Sequence, residues 1–262
     1  DWSSDVCSSD LIKNKGETAV TYNLSHVPAL SSGPNTFAVG ATTGFATVEF
    51  NTPTVTVPAD GSIAVQITVT ANEGLPEGSL YGGYIVIEGS DDSTLRVPYA
   101  GYKGDYQKRA VLTGDFPLLA KLDAEGYYLP EENIFTLQEG DMPYFLVHFD
   151  HSAQLFRGTV YDVKTGKSVY RAFDEQYIPR NSTATGFYAF AWDGSLAKGN
   201  KVSLIPNGSY AMQLSVLKAL GDPSNPAHWE TWTSPAFNIE NPDQVDKPGK
   251  GKEGPKEDKP AK

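Results

Sequence analysis

The sequence predicts an all-β fold, two tandem antiparallel β-sandwiches followed by a disordered tail, on three observations. Apolar residues alternate with polar or small ones in short runs, as in Ile63, Val65, Ile67 and Val69 against Ala64, Gln66, Thr68 and Thr70. That is the period-2 signature of a strand with one buried face. Turn signals recur roughly every ten residues, drawn from 25 Gly and 18 Pro, as sandwiches require. Almost no segment carries a helical period.

The first domain is read as residues 12–106. Val20, Tyr22 and Leu24 alternate with Thr21 and Asn23, and Phe37 with Val39, then Val48 with Phe50, give two further strands. Pro58-Ala59-Asp60-Gly61 is a turn before the Ile63 strand. Tyr84–Ile87 and Leu95–Val97 flank Gly89–Ser93, a hairpin loop signal. Residues 107–140 read as a connecting segment, with Phe116–Leu119 and Tyr127–Pro130 apolar but irregular. Ala110 to Leu122 leaves room for a short helix, weakened by Gly114 and Pro117.

The second domain is read as residues 141–240. Phe145, Val147 and Phe149 alternate with Leu146 and His148. Phe156–Val163 is the next strand, and Lys164–Lys167 turns into Ser168–Tyr170. Tyr188, Phe190 and Trp192 share one face of a strand that ends at Gly194. Tyr210, Met212, Leu214 and Val216 share one face of another, and Phe237 with Ile239 closes the set. Residues 241–262 have no apolar side chain after Val245 except Ala261, and are dense in Lys, Glu, Pro and Gly. Such a composition cannot bury enough surface to fold, so a disordered tail or spacer is expected.

Three strings of the first domain carry a resemblance. VPADGS at 57–62, Tyr81-Gly82-Gly83-Tyr84-Ile85, and LRVPYAG at 95–101 resemble, in the same order, the fibronectin-III-like domain of secreted subtilisin-family serine proteases of Gram-positive bacteria. In the second domain, Trp192-Asp193-Gly194 followed by Pro206–Tyr210 resembles the Ig-like domain shared by flagellar hook-cap proteins and the C-terminal regions of some of those proteases. The resemblance implies an accessory region that follows a catalytic domain of the same chain.

The first eleven residues resemble something else: the in-frame translation of a common sequencing adapter. They hold no start methionine, basic segment or apolar core of a signal peptide. On this reading residues 1–11 are an artefact, the natural protein continues upstream of Ile12, and the only cysteine, Cys7, is not native.

Composition narrows the function classes. The 262 residues carry a formal charge of −11, and between Leu11 and Asn241 there are 24 acidic and 15 basic residues. Phosphate backbones require a basic face, so nucleic acid is not an expected partner. Without a native cysteine there is no disulfide framework and no thiol nucleophile. No apolar run approaches the ~20 residues of a membrane span. A secreted or cell-wall-associated protein is expected.

No catalytic residue, cofactor site or metal site is expected in this chain. A serine protease needs a nucleophile, a base and an orienting acid, and the DTG-like, HGT-like and GTSMA-like strings that frame them in subtilisins are absent. His26 sits at a strand end and His228 in a loop. His148, Asp150 and His151 have a spacing open to metal ligation, but a strand exit with two polar residues accounts for them. Asp91, Asp92, Asp141, Asp162, Asp193 and Asp222 offer carboxylates to calcium, yet no D-x-D-x-D-G loop occurs, and Asp193 is expected to close its own turn. Tyr127, Tyr128, Trp229 and Trp232 are candidates for carbohydrate stacking, against packing in a core or junction. Asn23, Asn181 and Asn207 lie in N-x-S/T strings without expected consequence.

The function this implies is a non-catalytic accessory region of a secreted subtilisin-like serine endopeptidase. Substrate positioning, stability and placement at the cell envelope are its expected roles, with the upstream protease domain, protein substrates and envelope components as partners. The alternatives are a surface protein of stacked Ig-like domains and a carbohydrate-binding accessory module.

Overall fold

A computed structural model describes residues 5–130 and 132–244. It is built from 21 β-strands and three short 3-10 turns, with no α-helix among the described residues. The chain forms two compact units: Asp1–Ala110 with Ser182–Ala184, and Val111–Asn181 with Thr185–Lys262.

The first unit contains β1 (Asp5–Lys13), β2 (Val20–Pro28), β3 (Ser31–Ser32), β4 (Ala41–Thr42), β5 (Thr47–Phe50), β6 (Thr54–Val57), β7 (Ser62–Thr70), β8 (Leu80–Gly89) and β9 (Thr94–Tyr102). One sheet has the order β1-β7-β5. The other has the order β4-β3-β8-β2-β6, with β9 on β8. Val65, Ile67 and Val69 of β7, Val20, Tyr22 and Leu24 of β2, and Tyr81, Ile85 and Ile87 of β8 are buried in one core. The alternation in the sequence thus selects the inward faces. Asn14 fixes the strand ends: its Nδ2 donates to the carbonyls of Thr18 (2.7 Å), Val57 (3.2 Å) and Pro58 (3.1 Å), and its Oδ1 accepts from Gly16 N–H (2.9 Å). Gly61 N–H closes the predicted turn on Pro58 O at 3.0 Å.

The strand expected around Phe37 and Val39 does not form. Asn35 Oδ1 accepts from the N–H groups of both Phe37 and Ala38. This local bond competes with a ladder, and Val39 is left 63% exposed.

The second unit contains β10 (Leu118–Leu122), β11 (Tyr128–Leu129), β12 (Ile134–Phe135), β13 (Tyr144–Val147), β14 (Ala153–Asp162), β15 (Ser168–Ile178), β16 (Tyr188–Ala191), β17 (Ser195–Lys198), β18 (Lys201–Leu204), β19 (Gly208–Lys218), β20 (Trp229–Thr233) and β21 (Phe237–Ile239). One sheet runs β11-β10-β13-β16. A larger one runs β12-β21-β19-β14-β15, with β20 on β19, and β17 pairs with β18 in a separate hairpin. Phe145, Val147 and Phe149 on one side, and Phe156, Val160, Met212, Leu214, Val216 and Phe237 on the other, share an aromatic-rich core.

The segment read as a connector supplies β10 and β11 to one sheet and β12 to the other, where β12 pairs in parallel with β21. The backbone from Ala110 to Leu122 is extended rather than helical: the N–H groups of Val111 and Leu112 bind the Glu230 carboxylate, and β10 pairs with β13. At the other end, Asn241 is buried, and Gln244 Nε2 donates to Ile205 O at 2.9 Å. The packed chain therefore runs past the expected tail boundary; the remainder of that tail, 245–262, lies outside the described residues.

Candidate functional site

The residues singled out in the sequence do not converge. His148 is buried, with its Nδ1 at 2.5 Å from Gly186 O and its Nε2 at 3.6 Å from Asp150 Oδ1. Both faces of this strand are covered, which alternation alone did not reveal: Leu146 and His148 are as buried as Phe145 and Val147, with the Phe116 ring beside the imidazole. Among the described residues, no three His, Cys, Asp or Glu side chains group as a metal site would require.

The acidic candidates are spread over separate turns. Asp91 accepts from Ser93 N–H and Oγ–H, Asp162 from Thr165 N–H and Oγ–H, Asp193 from Ser195 N–H, and Asp222 from Ser224 N–H and Oγ–H. The Ser and Thr donors hold the carboxyls of Asp91, Asp162 and Asp222 below the usual carboxylate value. Asp141 binds Thr136 through N–H and Oγ–H and ion-pairs with Lys121 at 3.0 Å. Burial pushes its carboxyl up, and these partners together outweigh that and bring it down.

The N-x-S/T asparagines have structural partners. Asn181 Oδ1 accepts from buried Phe149 N–H, Asn207 and Asn241 exchange side-chain-to-backbone bonds, and Asn23 accepts from Thr54.

Of the four aromatic candidates, two pack. Tyr128 meets the Tyr144 and Phe187 rings edge-on, and Trp232 packs on the second core. Tyr127 is 70% exposed beside a turn. Trp229 stands on the outer face of the larger sheet, opposite Leu217 in register. The three-residue step from Trp229 to Trp232 puts their side chains on opposite faces of β20. Two prolines, Asp222 and Asn225 precede this strand of only five residues, so its sequence carries turn signals up to the strand's first residue.

Around Trp229 the structure builds an open cleft of about 450 Å³, lined by Arg157, Ser215, Pro223, Ser224, Pro226, Trp229 and Thr231. The Arg157 guanidinium carbon lies 5.8 Å from the indole centroid, within cation–π range. Its Nε and Nη2 donate to Asp174 at 2.9 and 3.2 Å, and the indole Nε1–H donates to Pro223 O at 3.1 Å. The loop carrying both prolines is stapled from within: Asn225 Oδ1 accepts from Ala227 N–H, and Asp222 N–H donates to His228 Nδ1 at 2.8 Å. Sequence reasoning missed Arg157, whose proximity to Trp229 arises only when β14 and β20 flank β19. A second cleft, of about 550 Å³ and mostly apolar, lies between Tyr177 and Leu220.

Residues 8–100 match the model of the Fn3-like domain, a span that begins within β1, includes Ser8–Leu11 and reaches through most of β9. The first unit therefore holds an Fn3-like domain, and the described residues of both units fold as all-β sheets. No curated protein matches the chain. Among solved structures it is similar to a CsuC–CsuE chaperone–tip adhesion subunit pre-assembly complex from the archaic chaperone-usher Csu pili of Acinetobacter baumannii, at 13% identity and TM-score 0.28, over 71% of this chain and 83% of that one. It is also similar to a chaperone–tip adhesin complex of CFA/I fimbriae, at 9% identity and TM-score 0.32, over 87% and 92%. A third is the CupB2 chaperone of Pseudomonas aeruginosa, at 10% identity and TM-score 0.24, over 87% and 91%. Likenesses at these scores carry no argument about partners. No helix among the described residues is long and apolar enough to cross a membrane.

Proposed function

We propose that this chain is a non-catalytic accessory region of a secreted subtilisin-like serine endopeptidase, the Fn3-like domain serving beside a catalytic domain and the Ig-like domain as spacer or interaction module. The observation that carries the reading is the interlock of the resembling strings: YGGYI and LRVPYAG lie antiparallel on β8 and β9, with Tyr81 opposite Gly101 and Gly83 opposite Tyr99. The Fn3-like match over residues 8–100 supports the fold part of that reading. These strings bear on fold and parentage; they bring no nucleophile or base with them, and fold alone does not assign function.

The test is to sequence the genomic locus across the Leu11–Ile12 junction and read upstream. The expected outcome is one continuous frame carrying the aspartate, histidine and serine motifs of a subtilisin, with residues 1–11 replaced. A frame of further β-sandwiches without those motifs makes the protein a surface scaffold and ends the protease reading. The chain by itself is expected to leave casein intact after repurification.

A further inference from the structure

We propose that the cleft around Trp229 is a subsite for one pyranose ring of an uncharged glycan, with the indole face as the stacking platform. The indole N–H is already committed to Pro223 O and the Arg157 guanidinium stands over one face of the ring, so what the tryptophan offers a ligand is its opposite face. Around that face stand the hydroxyl-bearing side chains of Ser215, Ser224 and Thr231 and the apolar rings of Pro223 and Pro226. A pyranose has the matching character, with apolar C–H faces and a rim of hydroxyls. Pockets of this mixed type orient a ligand through a few polar groups set in an apolar wall.

Charge argues for a neutral ring. The one cation in the lining, Arg157, gives its Nε and Nη2 donors to the Asp174 carboxylate, so the donors an anion would take are already held by a carboxylate of the protein. Asp174 also receives Arg171 at 3.2 Å, an exposed side chain outside the lining. A proline-rich peptide is the rival occupant, and its usual groove is aromatic-lined. Here Trp229 is the single aromatic residue of the lining. The internally bonded Asp222–His228 loop holds the lip in place before binding, which reduces the ordering that a weak ligand would otherwise have to offset. The site does not rest on the protease reading, and the locus experiment leaves it untouched.

The test is isothermal titration calorimetry of the full chain with chitohexaose, cellohexaose, maltohexaose and a proline-rich decapeptide. At least one oligosaccharide is expected to bind saturably, and Trp229→Ala to weaken it at least tenfold. Trp229→Phe is expected to keep part of the affinity and the far-ultraviolet circular dichroism of the parent, which separates stacking from misfolding. Tyr127→Ala, at an exposed aromatic residue elsewhere, is expected to change nothing. No saturable heat from any oligosaccharide up to ~10 mM, equal affinity in Trp229→Ala, or binding of the peptide alone overturns the proposal.

Discussion

Tyr81 roofs Gly101 across the β8–β9 pair so closely that a Cβ at Gly101 would lie 2.2 Å from the ring's Cζ. Two residues along, the relation reverses: Tyr99 stands opposite Gly83, and a Cβ there would meet its hydroxyl at 2.8 Å and Val27 O at 2.7 Å. The strings that carry the family resemblance are thus a packing device, tyrosine over glycine on alternate strands. Gly101→Ala is expected to destabilise the first unit by about 1–3 kcal/mol, the usual cost of overpacking. Urea denaturation measures it. Tyr81→Leu in the same molecule should recover part of the loss, with a coupling of at least ~0.5 kcal/mol.

How much of this was legible depended on whether a local rule or a distant partner decided each element. The β7 strand, the β8–β9 hairpin and the inward face of β19 follow from alternation and turn residues, and they lie where those signals put them. Phe37 and Val39 have the same alternation, but Asn35 takes the backbone donors first. β10, β11 and β12 are two to five residues long, too short for a period to register, and they exist because β13 and β21 offer edges. Of the site, Trp229 was visible as a candidate and the parity of the W-x-x-W spacing separates it from Trp232, whereas Arg157 lies 72 positions earlier and is brought in only by the sheet order.

Asn14 is 5% exposed, and one amide serves four backbone groups of two turns. Asn14→Ala leaves those carbonyls and the Gly16 N–H without that partner, and each buried group so stranded costs about 1–3 kcal/mol. The expected result is a loss of that order in the first unit, read as a lower urea midpoint with an unchanged slope. Asn14→Asp is expected to fail as well, because a carboxylate cannot donate to carbonyls.

His26 gives the first unit a pH dependence. Burial holds its imidazole below the ordinary value of 6.5, with Nε2 at 2.6 Å from the Tyr99 hydroxyl, itself pushed up by burial and by Tyr81. The folded chain therefore binds the proton less readily than the unfolded chain, and stability rises with pH wherever the unfolded state holds more protons. Stability is expected to fall as pH drops through 6.5 and to level off once folded His26 is itself protonated. Thermal melts from about pH 7.5 to 5 should show this slope in the parent and lose it in His26→Gln. A parent whose midpoint is flat across that interval removes the role given to His26.

Glu230 closes the second unit where β20 meets the start of its chain. Its carboxylate accepts from Val111 N–H at 2.8 Å and Leu112 N–H at 2.9 Å, and pairs with Lys218 Nζ at 3.2 Å. The Lys218 side chain is 9% exposed and that of Glu230 20%, so truncating one partner leaves the other charge largely out of water. Glu230→Ala is expected to cost about 3 kcal/mol, the range for breaking a buried pair from one side. Glu230→Gln loses the charge and turns one of the two acceptor oxygens into an N–H donor, but its remaining oxygen can still accept from the backbone amides, so it is expected to cost less. Replacing both members, Lys218→Met with Glu230→Gln, should recover stability relative to Glu230→Ala, because the mostly buried ammonium is removed together with the carboxylate that faces it. Urea midpoints of the three variants rank them. A Glu230→Gln midpoint as low as that of Glu230→Ala would mean that the charge, rather than the capture of two backbone donors, holds the Val111–Leu112 segment in place.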